Sequence, residues 1–276
     1  MIQDQTIGFI GGGNMARSLI GGLLQSGYDP GRLLVAEPDS ACRDRLAELF
    51  DIAIHEHNRA VAEHAEVLVL AVKPQVMRSA LEPIAGVIGE RKPLLVSIAA
   101  GVRLNSIAGW SSPQAPIVRA MPNTPALVGS GAAALYANDL VSEVQRDTAE
   151  SVLRAVGVTV WVAREEQLDT VTALSGSGPA YFFYLMEALE QAAVERGLDP
   201  AQARLLTLET AFGAAKLALE SEEAPAELRL RVTSPGGTTE RAIGILEDAG
   251  VRASVGDALA GAEQRSRELA ALLGAD

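Results

Sequence analysis

The chain has 276 residues, of which 48% are hydrophobic, and a formal net charge of −12. This acidic balance argues against a nucleic-acid partner or an anionic membrane surface, and the sequence has no apolar stretch of the ~20 residues that a membrane span requires. The length suggests two domains. Because Cys42 is the single cysteine and the N-terminus has no signal-peptide pattern, we expect a cytoplasmic protein without an internal disulfide.

The first predicted element is a buried strand that ends in a glycine-rich turn and is followed directly by a helix. After the apolar segment from Ile7 to Ile10, the residues Gly11, Gly13 and Ala16 have the spacing G-x-G-x-x-A. In this context Gly11 permits a tight turn, Gly13 lets the backbone approach a pyrophosphate, and Ala16 allows close packing of the helix on the strand. The same glycines can form a plain turn, but the strand–turn–helix order favours dinucleotide binding.

A second apolar strand, Leu33 to Ala36, ends at Glu37. A carboxylate at this position often accepts hydrogen bonds from the ribose hydroxyls of a bound dinucleotide. The alternative is a solvated side chain at a strand end. Arg43 and Arg45 follow on the next predicted helix and would instead suit a 2′-phosphate, so the pattern leaves the choice of cofactor open.

Three further apolar strands each end in a small, polar or proline-rich turn. The strands run from Glu66 to Val72, from Leu94 to Ile98 and from Ile117 to Ala120, and the turns after them are Lys73 to Gln75, Ala99 to Gly101 and Met121 to Pro125. In an open α/β fold such turns collect at the carboxyl edge of a parallel sheet, where ligands bind. Two closing strands, Gly131 to Tyr136 and Val158 to Val162, are predicted with a helix capped by Asn138 or Asp139 between them.

After Val162 the pattern is helical to the end of the chain. We therefore predict two domains, residues 1–163 and residues 164–276. The segment from Ala180 to Met186 is apolar on every side, which is not possible for a solvent-exposed helix. Either its own domain or a second subunit must cover it, and the small size of the domain favours a subunit interface.

Several kinds of site are not indicated by the sequence. The three histidines, His55, His57 and His64, lie close together without the spacing of metal ligands, so solvated side chains are the simpler interpretation and no metal is predicted. Neither a G-x-S-x-G nucleophile motif nor a Walker A sequence is present. Lys73 is the one plausible acid–base residue, and it could equally cap its strand or balance carboxylates. The chemistry should therefore need little proton transfer from the protein.

The sequence resembles the pyrroline-5-carboxylate reductase family over nearly its whole length. The resemblance lies in six motifs: IGFIGGGNMA (Ile7 to Ala16), AVKP (Ala71 to Pro74), SIAAGV (Ser97 to Val102), RAMPNTPALVG (Arg119 to Gly129), SGSGPAY (Ser175 to Tyr181) and TSPGGTT (Thr233 to Thr239). The last two, in the helical half, separate this family from other oxidoreductases with a similar first domain.

The resemblance implies an α/β fold, with an N-terminal Rossmann-like parallel sheet domain followed by an all-helical dimerisation domain. It also implies the reduction of 1-pyrroline-5-carboxylate to proline, the final step of proline biosynthesis, with NADPH or NADH as cofactor. Dimers of this family often assemble into rings of five, which would be a decamer. Neither nucleic acid nor a membrane is an implied partner.

The resemblance also assigns site residues by position. Those that would bind the cofactor, with Glu37 added from its place at the strand end, are Ile10, Gly11, Gly12, Gly13, Asn14, Met15, Asn58, Ala71, Val72, Lys73, Pro74, Ala99, Ala100, Met121, Pro122, Asn123 and Thr124. Those that would bind the substrate are Glu222, Ser234, Gly236, Gly237, Thr238 and Thr239. Two positions depart from the family pattern: Leu230 replaces a polar residue before the SPGG loop, and Glu37-Pro38 replaces small hydroxyl residues.

The residues of the SPGG loop support this assignment on physical grounds. Gly236, Gly237 and Thr238 precede a helix predicted from Thr239 to Asp248, whose free N–H groups would form an anion site for the substrate carboxylate. A plain helix cap would explain Thr238 but not two adjacent glycines. Thr239 is the candidate to hydrogen-bond the ring nitrogen, and it is the one catalytic residue that we predict.

Two other classes of function remain as alternatives. One is another imine reductase or a β-hydroxyacid reductase; the latter would need a catalytic lysine in the helical half, where Lys216 is the only lysine and lies in mid-helix. The other is a non-catalytic nucleotide-binding dimer, which would have no use for the SPGG loop.

Overall fold

A computed structural model describes residues 4–274 of the chain. They divide into two compact units, one that extends to Ser177 and includes the chain again from Gly261, and one formed by Gly178–Ala260. Among the described helices, none combines the length and the apolarity needed to cross a membrane.

The first unit is built on one sheet of eight strands. In chain order these are β1 (Ile7–Ile10), β2 (Leu33–Ala36), β3 (Ala53–His55), β4 (Val67–Leu70), β5 (Leu94–Ser97), β6 (Ile117–Met121), β7 (Gly131–Ala137) and β8 (Gly157–Trp161). Their order across the sheet is β3-β2-β1-β4-β5-β6-β7-β8. The chain order reverses next to β1, so the carboxyl ends of β1 and β4 border a crevice of the kind that binds dinucleotides.

Strands β1 to β6 are parallel, which confirms the predicted class of fold, but β7 runs antiparallel to β6 and β8 runs parallel to β7. The last two strands therefore point the other way. The physical reason is the short connection of residues 122–130, because a parallel crossover requires about a dozen residues or more.

Helices cover both faces of this sheet, and each face carries its own apolar cluster. Every residue of β1, β4 and β5 is buried, as expected for parallel strands with both faces covered. The helices of the first unit are α1 (Asn14–Gln25), α2 (Ser40–Leu49), α3 (Asn58–Ala62), α4 (Met77–Leu81), α5 (Ala85–Arg91), α6 (Leu104–Trp110), α7 (Glu143–Arg154) and α8 (Gln167–Val171), to which the end of the last helix is added.

The predicted cap of α7 was wrong. Its N-cap is Ser142, whose hydroxyl accepts from the N–H of Gln145 while the Gln145 side chain accepts from the N–H of Ser142. The two side chains together satisfy two otherwise unpaired N–H groups at the helix start, those of Gln145 and Ser142. Asn138 is used elsewhere: its carboxamide accepts from the N–H of Ile117 and donates to the carbonyl of Ala115.

The second unit is helical. It contains α9 (Gly178–Glu195), α10 (Pro200–Glu220), α11 (Pro225–Arg231), α12 (Thr238–Asp248) and the first part of α13 (Val251–Leu273). Within this unit α9 packs along α10, but the aromatic side chains at the start of α9 stay largely exposed: Phe182 is 66% exposed, Phe183 64% and Tyr184 74%. The second unit therefore does not enclose α9, which agrees with the predicted subunit interface.

Candidate active site

The glycine-rich turn between β1 and α1 has the geometry of an anion-binding turn. Gly11 has a φ of +99°, and a Cβ placed there would lie 2.8 Å from the carbonyl oxygen of Ala71. Both the backbone conformation and the lack of space therefore exclude a side chain. Gly13 is the N-cap of α1, so no side chain caps the first-turn N–H groups, and the space beside its Cα is open. The first-turn N–H groups of α1 are therefore open to a phosphate, as a dinucleotide requires.

Glu37 at the end of β2 is tied to this turn. Its Oε2 accepts from the N–H of Gly12 at 2.8 Å, and its Oε1 accepts from the N–H of Asp39 at 3.0 Å. A carboxylate has about four lone-pair directions, so two remain for the hydroxyls of a ribose. The geometry suits the role that the sequence predicts for Glu37, which stays a prediction.

Arg43 and Arg45 do not extend freely toward a 2′-phosphate. The Arg43 guanidinium donates to the carbonyls of Glu37 and Pro38 and lies 3.8 Å from the carboxylate of Glu56, while Arg45 donates to Ala41 in its own helix. Next to them is an open cavity of about 310 Å³, lined by Pro38, Glu56, His57, Asn58, Arg59, Pro83 and Ile84. Among the lining residues is Asn58, one of the residues predicted to bind the cofactor, whose carboxamide donates to the carbonyl of Ala80.

The remaining predicted cofactor residues follow the carboxyl ends of β4, β5 and β6, and the structure brings them to one edge of the sheet. The last residues of β4 and β5, Leu70 and Ser97, are in register, and Ser97 pairs with Arg119, two residues before the end of β6. The turns that begin at Ala71, Ala99 and Pro122 therefore lie side by side. A cavity of about 320 Å³ opens against the first two of these turns, lined by Pro74, Gln75, Ala100, Gly101, Thr172, Ser177, Ala262, Arg265, Ser266, Leu269 and Leu273.

A buried ion pair between Arg119 and Glu165 supports two of these turns. Arg119 is 5% exposed, and its Nη1 lies 2.6 Å from Glu165 Oε1, which also accepts from the N–H of Leu104 at the start of α6. Burial lowers the pKa of Arg119, and the hydrogen bond to Glu165 opposes that shift. Glu165 thus joins the strand that leads to Met121 with the helix that follows the turn at Ala99.

A second ion pair lies beside the first. Arg103 Nη2 is 2.6 Å from Asp169 Oδ2, and the hydroxyl of Ser266 donates to Asp169 Oδ1 at 2.8 Å. The sequence patterns did not indicate the buried pairing of Arg119, Glu165 and Asp169. A charged residue within the apolar segment of β6 was the available signal, because a buried charge requires a partner.

The residues of the predicted substrate site belong to the second unit. Gly236 has a φ of +71°, and Gly237 is the N-cap of α12 without a side-chain cap. The N–H of Gly236 donates to Glu240 Oε2 at 2.8 Å and that of Gly237 to the carbonyl of Ser234 at 3.0 Å. The N–H groups that remain for an anion are therefore those of the first turn of α12, beginning at Thr238.

The other substrate candidates lie near this loop in sequence. Glu222 is exposed in the connection between α10 and α11, and Leu230, at the position where the family has a polar residue, is 64% exposed at the end of α11. The hydroxyl of Thr233 donates to the carbonyl of Arg229 at 2.6 Å, which joins the start of the loop to α11. Among the described residues, His, Cys, Asp and Glu side chains form no cluster of three that could hold a metal ion.

These features define a class of protein: an oxidoreductase with a dinucleotide-binding α/β unit and a helical unit that carries a glycine-rich helix start. Two family models match the chain. The model described as pyrroline-5-carboxylate reductase dimerisation covers residues 165–269, and the model described as NADP oxidoreductase, coenzyme F420-dependent, covers residues 6–101. The first of these indicates a homo-oligomer.

Three similar proteins narrow the class to one family. The pyrroline-5-carboxylate reductase of Pseudomonas aeruginosa is 48% identical over 97% of this chain and 98% of its own length. The structure of a pyrroline-5-carboxylate reductase from Coxiella burnetii is 46% identical with a TM-score of 0.92, over 96% of this chain and 98% of that one. The Plasmodium falciparum pyrroline carboxylate reductase, solved with NADP bound, is 27% identical with a TM-score of 0.86, over 97% and 99%. The chain belongs to the pyrroline-5-carboxylate reductase family.

Proposed function

We propose that the chain reduces the C=N bond of 1-pyrroline-5-carboxylate to L-proline with NADPH or NADH. The observation that carries this proposal is the uncapped helix start at Gly237, within the segment that the pyrroline-5-carboxylate reductase dimerisation model matches. A cyclic imino acid presents one carboxylate and one ring nitrogen. An N-terminal helical turn with a hydroxyl side chain offers a partner to each.

The first unit binds the cofactor. The open N–H groups at the start of α1 hold the pyrophosphate, Glu37 accepts from the adenosine ribose, and the turns after β4, β5 and β6 line the nicotinamide end. The excluded Cβ at Gly11 and the open space beside Gly13 support this fit. When bound, the reduced nicotinamide supplies the hydride.

The second unit binds the substrate. The N–H groups of Thr238 and the residues after it hold the carboxylate, with Ser234 and Gly236 shaping the loop and Glu222 near it. The Thr239 hydroxyl hydrogen-bonds the ring nitrogen. A protonated imine is already strongly electrophilic at carbon, so positioning and electrostatics can supply the catalysis without a protein acid that protonates the ring nitrogen.

The proposal includes an assembly and a location. We place the functional boundary between residues 1–163 and 164–276, close to residue 165, where the dimerisation model begins. The exposed aromatic side chains of α9 support a dimer, and we propose that dimers assemble further into a decamer in the cytoplasm.

Lys216 forms an exposed pair with Glu220 within α10, at 3.8 Å, which argues against the catalytic lysine of a β-hydroxyacid reductase.

The test is the loss of absorbance at 340 nm when the purified protein, reduced cofactor and 1-pyrroline-5-carboxylate are mixed. Chromatography of the product should show proline in an amount equal to the cofactor oxidised. The control is 1-pyrroline, which has the imine but no carboxylate and should react at least tenfold less efficiently, since the helix-start interaction is lost. Equal efficiency with both substrates would overturn the proposal. So would a protein that leaves the reduced cofactor unoxidised with 1-pyrroline-5-carboxylate but reduces the oxidised cofactor with a β-hydroxyacid.

A further inference from the structure

The chain contains an unusual helical turn where it leaves the first unit. Thr172–Gly176 is a π-helical turn, closed by a bond of 2.8 Å from the N–H of Ser177 to the carbonyl of Thr172, five residues earlier. Single π-helical turns are rare and occur often at functional sites. This turn lies against the segment Met121 to Asn123, and two separate contacts join them.

The first contact is made by Asn123. Its Oδ1 accepts from the N–H of Ala132 at 2.9 Å, and its Nδ2 donates to the carbonyl of Ser175 at 3.0 Å. A regular helix would pair the Ser175 carbonyl with the N–H of residue 179, but Pro179 has none. The carboxamide of Asn123 therefore satisfies a carbonyl that the proline leaves without its helical donor.

Because its side chain makes these bonds, Asn123 does not cap the helix that follows it. It occupies the N-cap position of the short 3₁₀ helix Thr124–Val128, where asparagine commonly caps with its own side chain, but it makes no cap. The residue is 9% exposed, and both ends of its carboxamide are bonded to backbone groups. The side chain is therefore directed into the protein and not toward a ligand at the sheet edge.

The second contact is made by Met121. A Cβ added at Gly176 would lie 2.5 Å from the Met121 Cε, so the methyl group of Met121 fills the place where a side chain would start. The φ of Gly176 lies outside the left-handed range, so a side chain at this position would be opposed by the Met121 methyl group and not by the backbone conformation, and Met121 would have to move. The side chain of Met121 thus rests directly on the π-helical turn.

We propose that Asn123 and Gly176 are positioning residues that hold the turn at Met121 at a fixed distance from the nicotinamide. Asn123 acts through the backbone of Ala132 and Ser175, and Gly176 acts through the side chain of Met121. The proposal rests on the proposed function only in placing the nicotinamide beside Met121. The resemblance implied that Asn123 binds the cofactor, and the proposal gives its side chain an indirect role in that binding.

The first experiment compares Asn123→Ala with Asn138→Ala. Asn138 also bonds two backbone groups through its carboxamide, at 3.1 and 3.0 Å, but it lies at the opposite ends of β6 and β7. Both variants lose the same two kinds of hydrogen bond, so both should lower the melting temperature. Only Asn123→Ala should weaken NADPH binding, followed by fluorescence without substrate, by about tenfold to a hundredfold, as small misplacements in a site do.

An Asn123→Ala protein that binds NADPH as tightly as Asn138→Ala does would overturn the role of Asn123. Because the titration omits the substrate, it tests the positioning role even if 1-pyrroline-5-carboxylate is not reduced. A wild-type protein that binds NADPH but oxidises none of it with that imine would instead defeat the proposed function alone.

The second experiment is a cycle of Gly176→Ala, Met121→Ala and the double variant. The added methyl group in Gly176→Ala pushes the Met121 side chain away, so NADPH binding should weaken by about tenfold. In the Met121→Ala background the obstructing methyl is gone, and Gly176→Ala should then change NADPH binding by less than about twofold. Equal effects of Gly176→Ala in both backgrounds would show that Met121 does not rest on Gly176, and the proposal would fail even if Asn123→Ala did not fold.

Discussion

Glu37 accepts a hydrogen bond of 2.8 Å from the N–H of Gly12, which joins the acid at the end of β2 to the glycine-rich turn. A second bond, from the N–H of Asp39, fixes the other oxygen of the carboxylate. The negative charge is therefore held in place before any cofactor binds. With Glu37 at the adenosine ribose, as we propose, a 2′-phosphate would meet this charge, and Arg43 is engaged by backbone carbonyls nearby.

This arrangement predicts that Glu37→Ser shifts the cofactor preference toward NADPH. Removing a fixed negative charge near the 2′-phosphate should change the ratio of kcat/KM values for NADPH and NADH by about tenfold, equivalent to ~1.4 kcal/mol. The matched control is Asp39→Ser, which removes a neighbouring charge but keeps a residue able to cap α2, where Asp39 accepts from Cys42. No shift with Glu37→Ser, or an equal shift with the control, would place the ribose elsewhere.

The ion pair of Arg119 and Glu165 should be essential to stability. Glu165→Gln keeps an acceptor for the N–H of Leu104 but leaves the buried Arg119 charge unpaired, so the free energy of unfolding in urea should fall by about 3 kcal/mol. The control is Glu63→Gln, which breaks the exposed pair with Arg59 and should cost less than about 1 kcal/mol. Similar losses in both variants would mean that water reaches Arg119.

The exposed aromatic side chains of α9 predict that Phe183→Glu yields inactive monomers. Phe183 is 64% exposed in the single chain, so a subunit interface over it would bury an unpaired charge at a cost of several kcal/mol. Sedimentation at one concentration should separate this variant from the wild type. Leu49→Glu changes a side chain of the first unit that is 59% exposed and should leave the oligomer intact. A wild-type protein that sediments as a monomer with full activity would refute the interface.

Thr239→Val tests the proposed partner of the ring nitrogen. The substitution keeps the shape of the side chain and the helix-start N–H groups but removes the hydroxyl. Turnover should fall by about tenfold to a thousandfold, or ~1.4–4 kcal/mol, because the hydrogen bond matters most in the transition state. Cofactor binding should not change, since the glycine-rich turn belongs to the other unit. Thr238→Val should have a smaller effect, as its backbone N–H carries the role; near-normal turnover of Thr239→Val would refute the assignment.

The burial of the Tyr28 hydroxyl leads us to expect a loss of stability in alkaline solution. Burial raises the pKa of Tyr28 from 10.0 to about 12, and its hydroxyl donates to the carbonyl of Gln5. The unfolded chain therefore loses this proton first, so the contribution of Tyr28 is complete below pH 10.0 and disappears as the pH rises to about 12. The free energy of unfolding should fall by about 2–3 kcal/mol across that interval because of Tyr28. Tyr28→Phe should be less stable at neutral pH and should show a shallower decline; an unchanged slope would contradict the prediction.

The local patterns of the sequence predicted much of the fold. The period of apolar residues located the strands and the helical second half, and the order of strand, glycine-rich turn and helix indicated the crevice beside β1. The three-residue spacing of Ser142 and Gln145 was a signal for the N-cap of α7, but Asn138 and Asp139 nearby are also residue types that cap helices. Such signals are readable because they depend on residues only a few positions apart.

The tertiary structure decided what depends on distant residues. Arg119 and Glu165 are 46 positions apart, and Asn123 and Ser175 are 52 apart, so no local period relates them. The sequence by itself determined the class of fold and the open helix starts, because glycine spacing and apolar period act along the chain, and six sequence motifs carried the resemblance to the family. Only the folded sheet determined which side chains hold the turns at the sheet edge in place. Buried charges and carboxamides need partners, and the topology decides which groups are near enough to serve.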